Sequence, residues 1–437
     1  MLNLKFLERM KEYLEDDYEA FLASYNNKNI RAFTVNQNYI SKEEFETIFD
    51  LEITKIPYLE NGYYLNEDNI KLGFHPLHHA GAFYMQDPSA MTVVESVDFK
   101  DDFCVLDLCA APGGKSIQLA QKLKNGVLFA NEIDSSRCKA LYSNIERMGM
   151  KNVVVTNNKP QDFLKNFKES FDLILIDAPC SGEGMFRKYP ESQELWSLDN
   201  VDLCSNRDKD IVDCAYQLLK KEGILIYSTC TFAKEENEDI IKYLIDKYAL
   251  EQIDIKSNIK SVLKTGFIPK TYRFYPHLLE GEGQFLAVLK KVDGGVTTPK
   301  ILSRKDKLNE YLTFQKEYLT KPINNLLRRN DEVFYCASPY DLSSLKVMNY
   351  GVKLGEIINK RFIPNHNMYK AFYDHFSSQV NVYFKDDIVM KYLHGEQVQS
   401  DVKNGFGILK INGIPLGGFK SNSKNLNNHY PKGLRNF

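Results

Sequence analysis

No apolar run in the 437-residue chain approaches the roughly 18 residues that a membrane-spanning helix requires. The first residues, Met1-Leu2-Asn3-Leu4-Lys5-Phe6, lead into an amphipathic, acidic helical pattern and lack the apolar segment and cleavage site of a secretory leader. Cysteine is sparse. Eight residues with no paired spacing argue against a secreted disulfide framework and for free thiols in a reducing cytoplasm. An excess of one charge is missing too: a formal net charge of −2 is no global signature of a nucleic-acid binder. Internal repeats and low-complexity segments are absent. The stretch His75-Pro76-Leu77-His78-His79 has few ligand-type neighbours and a spacing unlike a zinc site, so no metal is expected.

What is present is unevenly placed. From Val402 to Phe437 there is no acidic residue, while Lys403, Lys410, Lys420, Lys424, Lys432 and Arg435 are basic. Such a tail can meet phosphates although the whole chain is near neutral, or can be an ordinary solvated surface. The length corresponds to about three domains. Residues 1–75 read as a small α/β unit, with helix from Phe6 to Leu22, strand from Ile30 to Val35, and helix from Ser41 to Phe49 with Ser41 as N-cap. Residues 76–292 alternate strand and helix, which predicts a doubly wound, mostly parallel sheet. In that unit Asp208 to Lys221 reads as a helix stopped by Gly223, and Ile224 to Thr229 as the next strand. Gly294-Gly295 and Thr297-Thr298-Pro299 look like a linker. Residues 300–379 then form a connecting unit, and residues 380–437, with short strands from Val380 to Tyr392 and repeated glycines, a small β unit.

Three stretches carry chemistry. In Asp107-Leu108-Cys109-Ala110-Ala111-Pro112-Gly113-Gly114-Lys115-Ser116 a small-residue turn joins a strand to a helix. Glycines there let backbone approach a ligand, and the helix start offers unpaired N–H groups. Glu132 follows Gly113 by 19 residues at the end of the next strand, where a carboxylate can accept from both ribose hydroxyls. A P-loop is the competing reading: Gly114-Lys115-Ser116 matches its end, but Cys109 stands where glycine is required and Pro112 stiffens the turn. A tight turn with no ligand is the third. The other two stretches, Asp177-Ala178-Pro179-Cys180-Ser181-Gly182 and Ser228-Thr229-Cys230-Thr231, each follow an apolar strand. Carboxyl ends of parallel strands are where ligands sit, so Cys180 and Cys230 are placed to face one substrate. Inert buried thiols and a redox pair are the alternatives.

These stretches, with Gln86-Asp87-Pro88-Ser89-Ala90, Gly283-Gln284-Phe285-Leu286-Ala287, and Gly413-Ile414-Pro415-Leu416-Gly417 near the end, resemble the Nop/Sun family of RNA cytosine-5 methyltransferases. The narrower likeness is to its bacterial RsmF-like 16S rRNA branch. The resemblance implies an α/β fold: a Rossmann-like class I methyltransferase core, a small N-terminal α/β RNA-binding domain and a C-terminal PUA-like RNA-binding domain. It implies S-adenosyl-L-methionine as cofactor, held by Cys109, Ala110, Ala111, Pro112, Gly113, Gly114 and Lys115, with Glu132 on the ribose. Asp177 would lie between cofactor and cytosine. Many relatives carry an acidic residue near the adenine where this chain has Asn157, Asn158 and Lys159, so Asn158 or a backbone group is expected to serve there. The family's chemistry makes Cys230 the thiol that attacks carbon 6 and Cys180 the group that assists release. DNA enzymes attack from a Pro-Cys motif, which would swap the two. Lys115 and Arg187-Lys188 would contact RNA or order loops. The implied partner is 16S rRNA or the small ribosomal subunit, met by a monomer with no membrane or DNA partner. The alternatives are a tRNA cytosine-5 methyltransferase and a non-catalytic ribosome-assembly factor.

Overall fold

The computed structural model describes residues 2–67, 70–302, 306 and 308–435; Met1 and the last two residues of the acid-free run, Asn436 and Phe437, lie outside them. The chain opens with helices Leu4–Leu14 and Tyr18–Ser24. A four-stranded antiparallel sheet follows, built from β1 (Ala32–Val35), β2 (Ile53–Lys55), β3 (Gly62–Leu65) and β4 (Phe83–Met85) in the order β2-β3-β1-β4. Ser41 caps helix Lys42–Ile48 in a full capping box: its Oγ accepts from Glu44 N, and the Glu44 carboxylate accepts from Ser41 N.

The central sheet contains β5 (Cys104–Asp107), β6 (Val127–Asn131), β7 (Val153–Thr156), β8 (Phe171–Asp177) and β9 (Leu219–Thr229), parallel in the order β7-β6-β5-β8-β9. Beyond β9 come β10 (Leu250–Ile253), β11 (Lys264–Thr265), β12 (Thr271–Phe274) and the long antiparallel β13 (Gln284–Lys291). The strands are apolar at successive positions because both faces are covered. Leu173 and Leu175 pack with Ile117 and Leu141 on one side, while Ile174 and Ile176 pack with Val212 and Ile241 on the other. The strand order reverses between β5 and β8, and a crevice opens there at the carboxyl ends.

The third unit holds β14 (Leu326–Arg329), β15 (Glu332–Cys336), β17 (Gly351–Ile358) and β18 (Arg361–Pro364) as one antiparallel sheet. Its β16 (Val347–Asn349) leaves that sheet and pairs with β7, so the central sheet gains an edge strand from the following unit. The last sheet joins β19 (Gln379–Val382), β20 (Val398–Gln399), β21 (Gly405–Ile411), β22 (Ile414–Ser421) and β23 (Asn425–Asn428) in the order β19-β21-β22-β23-β20.

Two elements differ from their sequence reading. The helix expected from Asp208 spans Leu198–Leu218, and Gly223 falls inside β9, because Leu219 turns extended and pairs with Phe171. The strands expected from Val380 to Tyr392 are a strand, β19, followed by helix Asp387–His394, which Gly395 closes at φ +86°.

Candidate active site

A cleft of about 260 Å³ lies over the ends of β5 and β8. The turn Cys109–Lys115 forms one wall; Gly113, at φ +118°, takes the chain into helix Gly114–Lys122. An added Cβ on Gly114 would come within 2.9 Å of the Gln86 side chain, so that glycine lets the segment after β4 close over the turn. Helix Ser135–Arg147 holds the turn from outside: Arg137 donates to Ala111 O and Asn144 Nδ2 to Pro112 O, each at 2.9 Å.

Asp177, at the end of β8, joins this wall to the thiols. Lys115 Nζ donates to its Oδ2 at 2.8 Å, Ser228 Oγ to its Oδ1 at 2.7 Å, and Gln284 Nε2 to the same oxygen at 3.3 Å. Cys180 and Cys230, both half-buried, bring their sulfurs within 3.2 Å of each other although 50 residues separate them. The hydrogen bond to Cys230 and then burial push the Cys180 thiol well above its usual range. Behind the turn, burial raises Asp107 to about 7, against the lowering effect of Ser116 Oγ, which donates to Oδ2 at 2.6 Å. Burial also pushes the Cys109 thiol well up.

The other expected residues lie outside this wall. Glu132 follows β6 directly with its side chain buried; Oε1 accepts from Asp134 N at 2.9 Å, and Arg137 approaches Oε2 at 3.7 Å. Asn158 has its amide committed to the third unit: Nδ2 donates to Lys346 O and Oδ1 accepts from Lys346 N at 2.9 Å. Arg187 is buried against Glu282 and Gly281 O, so it orders loops and does not face solvent. Ser116 and Lys115 spend their polar groups on Asp107 and Asp177, unlike the end of a P-loop. His75 bonds Asp50 and caps Leu77 N, and His79 Nδ1 meets Tyr430 OH at 2.8 Å.

Sequence reasoning missed Gln86, Asp87 and Tyr84 as walls of the cleft. Gln86 and Asp87 stood in a matching stretch, but no spacing rule ties them to a strand-end site. Their role is visible in what is left open. Gln86 Oε1, Asp87 Oδ2 and Asp107 Oδ1 are buried acceptors without a hydrogen-bond partner among the described residues, and all three side chains line the cleft. Buried acceptors cost free energy unless a donor arrives, so the cleft is built for a ligand rich in N–H and O–H groups.

A parallel sheet with this order, a glycine turn at its switch point and a strand-end acid define a Rossmann-like methyltransferase, here fused to further units on both sides. The chain matches the family described as 16S rRNA methyltransferase RsmB/F over residues 94–290. Residues 2–88 match the N-terminal domain of 16S rRNA methyltransferase RsmF, residues 313–371 its first C-terminal domain and residues 379–436 its PUA domain. It is 31% identical to ribosomal RNA small subunit methyltransferase F of Shewanella piezotolerans, covering 99% of this chain and 97% of that protein. With the protein of the same name in Aliivibrio salmonicida it shares 32% identity over 98% and 95% of the two chains. A solved methyltransferase homolog protein from Pyrococcus horikoshii superposes with a TM-score of 0.56 at 25% identity, over 65% of this chain and 94% of that one. The chain belongs to the RsmF branch of the 16S rRNA methyltransferase RsmB/F family. The resemblance read from the two cysteine stretches thus extends over nearly the whole chain. Its cofactor is S-adenosylmethionine, whose ammonium, ribose hydroxyls and adenine amine are donors of the kind the three open acceptors lack.

Proposed function

We propose that the chain methylates carbon 5 of a cytosine in 16S rRNA through a covalent bond between Cys230 and carbon 6. The sulfur pair at 3.2 Å, one strand from the cleft that Asp177 walls, carries this reading. Carbon 5 of cytosine is a poor nucleophile until a thiolate adds at carbon 6. Cys230 Sγ forms that bond and pushes a ring electron pair toward carbon 5, while Asp177 passes a proton to the ring at N3 and offsets the charge. S-adenosylmethionine, when bound, supplies an electrophilic methyl group. Release needs the carbon-5 proton removed, after which the C5–C6 double bond re-forms and Cys230 leaves as thiolate. The hydrogen bond to Cys230 and burial keep the proton on the Cys180 thiol while Cys230 attacks. Once Cys230 is bonded to carbon 6, Cys180 stands beside it as the base or base partner for the carbon-5 proton.

The turn Cys109–Lys115 would hold the cofactor and Glu132 its ribose. The Asn158 amide is engaged by Lys346, and the N–H groups of Asn157 and Asn158 are bonded to Lys346 O and Asn131 Oδ1, so an adenine read there would displace one of these contacts. The enzyme would work as a monomer in the cytoplasm, without membrane or DNA partners.

Cys230→Ala should abolish both methylation and adduct on 16S rRNA. Cys180→Ala should attack and methylate but stall before elimination, and so accumulate a protein–RNA complex that survives denaturing electrophoresis. Adduct in Cys230→Ala and none in Cys180→Ala would reverse the roles. Loss of stability in both variants, with no adduct in either, would make the pair structural. Methylation of tRNA in place of 16S rRNA would overturn the substrate.

A further inference from the structure

The two thiols sit on loops that leave different strands, and Glu236, in a third segment, Lys234–Glu236, bonds the loop that carries Cys180. Glu236 is fully buried there. Its Oε1 accepts from Ser181 N at 2.7 Å and its Oε2 from Ser181 Oγ at 2.5 Å. Ser181 is the residue after Cys180. The same Ser181 Oγ lies 2.9 Å from Thr231 Oγ1, and Thr231 is the residue after Cys230. One carboxylate therefore grips the Cys180 loop by two hydrogen bonds and reaches the Cys230 loop through a single shared hydroxyl.

The Cys230 side is fixed independently. Thr229 Oγ1 donates to Asn237 Oδ1 at 2.6 Å and Asn237 Nδ2 to Thr231 O at 2.9 Å. The Cys180 loop meets the same frame through Ala178 N to Ser228 O at 2.8 Å, Gly184 N to Cys230 O at 2.9 Å and Phe232 N to Glu183 Oε2 at 3.1 Å, none of which is made by Cys180 or Ser181. A buried carboxylate is costly, and burial raises Glu236 to about 7.

We propose that Glu236 is a positioning residue that holds Cys180 in register with Cys230, so that the thiol assisting release meets the base the other thiol has attacked. The proposal rests on the two-cysteine chemistry above. It extends that chemistry to a side chain that need not touch the RNA. Displacing a reacting group by about 1 Å can cost on the order of 100-fold in rate.

The test uses the full-length enzyme with Glu236→Ala, Glu236→Gln and Ser181→Ala. The last keeps the carboxylate and guards against a Glu236→Ala protein that does not fold. Glu236→Ala and Ser181→Ala should lower kcat on 16S rRNA by roughly 10- to 100-fold with unchanged S-adenosylmethionine affinity. Glu236→Gln, which keeps the acceptor for Ser181 N and the side-chain shape, should stay near wild type. A second readout needs no methyl transfer. Diamide takes two electrons and two protons from a thiol pair, joins the sulfurs as a disulfide and is itself reduced to the hydrazine. It should link Cys180 to Cys230 quickly in wild type and in Glu236→Gln, and several-fold more slowly in the other two. Wild-type kcat and linking rate in Ser181→Ala would overturn the proposal, as would a loss of cofactor affinity matching the loss of kcat. If Cys180→Ala forms no covalent RNA adduct while the linking rates still separate, the covalent chemistry fails and the positioning role of Glu236 stands.

Discussion

Asp107 shows what burying a single carboxyl costs. Its carboxyl ends β5 at 1% exposure, has one oxygen without a partner among the described residues, and is raised to about 7 by burial. The native state therefore holds this proton more tightly than the unfolded chain does. Its contribution to stability is complete below pH 4 and is lost as pH rises through 7. Asp107→Asn should flatten that fall. In denaturant titrations of the cofactor-free protein, the gap between variant and wild type should change by about 1.4 kcal/mol per pH unit across the window. Parallel stability curves from pH 4.5 to 7.5 would show that Asp107 does not titrate there. The motif around Asp107 was legible because its glycines and small residues lie next to one another along the chain. The unpartnered oxygen was not, since it depends on which side chains from Tyr84 to Asp87 close the cleft.

At the scale of elements, the cysteine loops are held by close backbone approach. Gly184, four residues past Cys180, packs on Gly283 just before β13; an added Cβ would sit 2.7 Å from the Gly283 Cα. Gly184→Ala should cost about 1–3 kcal/mol, the usual price of overpacking, and should lower methyl transfer more than cofactor binding because it separates the loop from β13. Denaturation midpoints and cofactor affinity measured side by side check this; an unaltered midpoint would show that the loop yields freely. No sequence signal marked Gly184, since its need for smallness comes from a partner 99 residues away. The helix after Ser41 was read correctly because its cap is local, with donor and acceptor three residues apart. Helix Leu198–Leu218 was cut short although its cap is just as local, because the apolar pattern behind that cap is weak. Its first half is polar with a weak apolar stripe, and its start is marked by Ser197, whose Oγ accepts from Asn200 N.

Across the whole molecule, the ends of the chain are one body. Phe33, Val35 and Phe83 of the first sheet share a hydrophobic core with Leu409, Ile411, Leu416 and Phe419 of the last. Removing the last unit would uncover that core, so its role in RNA binding is better tested by charge than by truncation. Lys403, Lys420, Lys424 and Lys432 are exposed along the acid-free run. Replacing all four by glutamine in the full chain should weaken 16S rRNA binding and flatten its salt dependence, by up to about 3 in the slope of log K against log salt. Cofactor affinity should not move. An unchanged slope would remove these lysines from the phosphate contacts.

By itself the sequence determined the alternating α/β core, the glycine turn after β5 and the two cysteine stretches. Each is written in neighbouring residues: apolar runs that need cover on both faces, small residues where backbone must come close, and thiols just past strand ends. Only the tertiary structure decided that Cys180 and Cys230 lie 3.2 Å apart, that Lys115 spends its charge on Asp177, and that Lys346 occupies the Asn158 amide. Those contacts join residues 50, 62 and 188 positions apart. Separations of that size are set by strand order and register, which come from packing the whole sheet at once rather than from any local pattern.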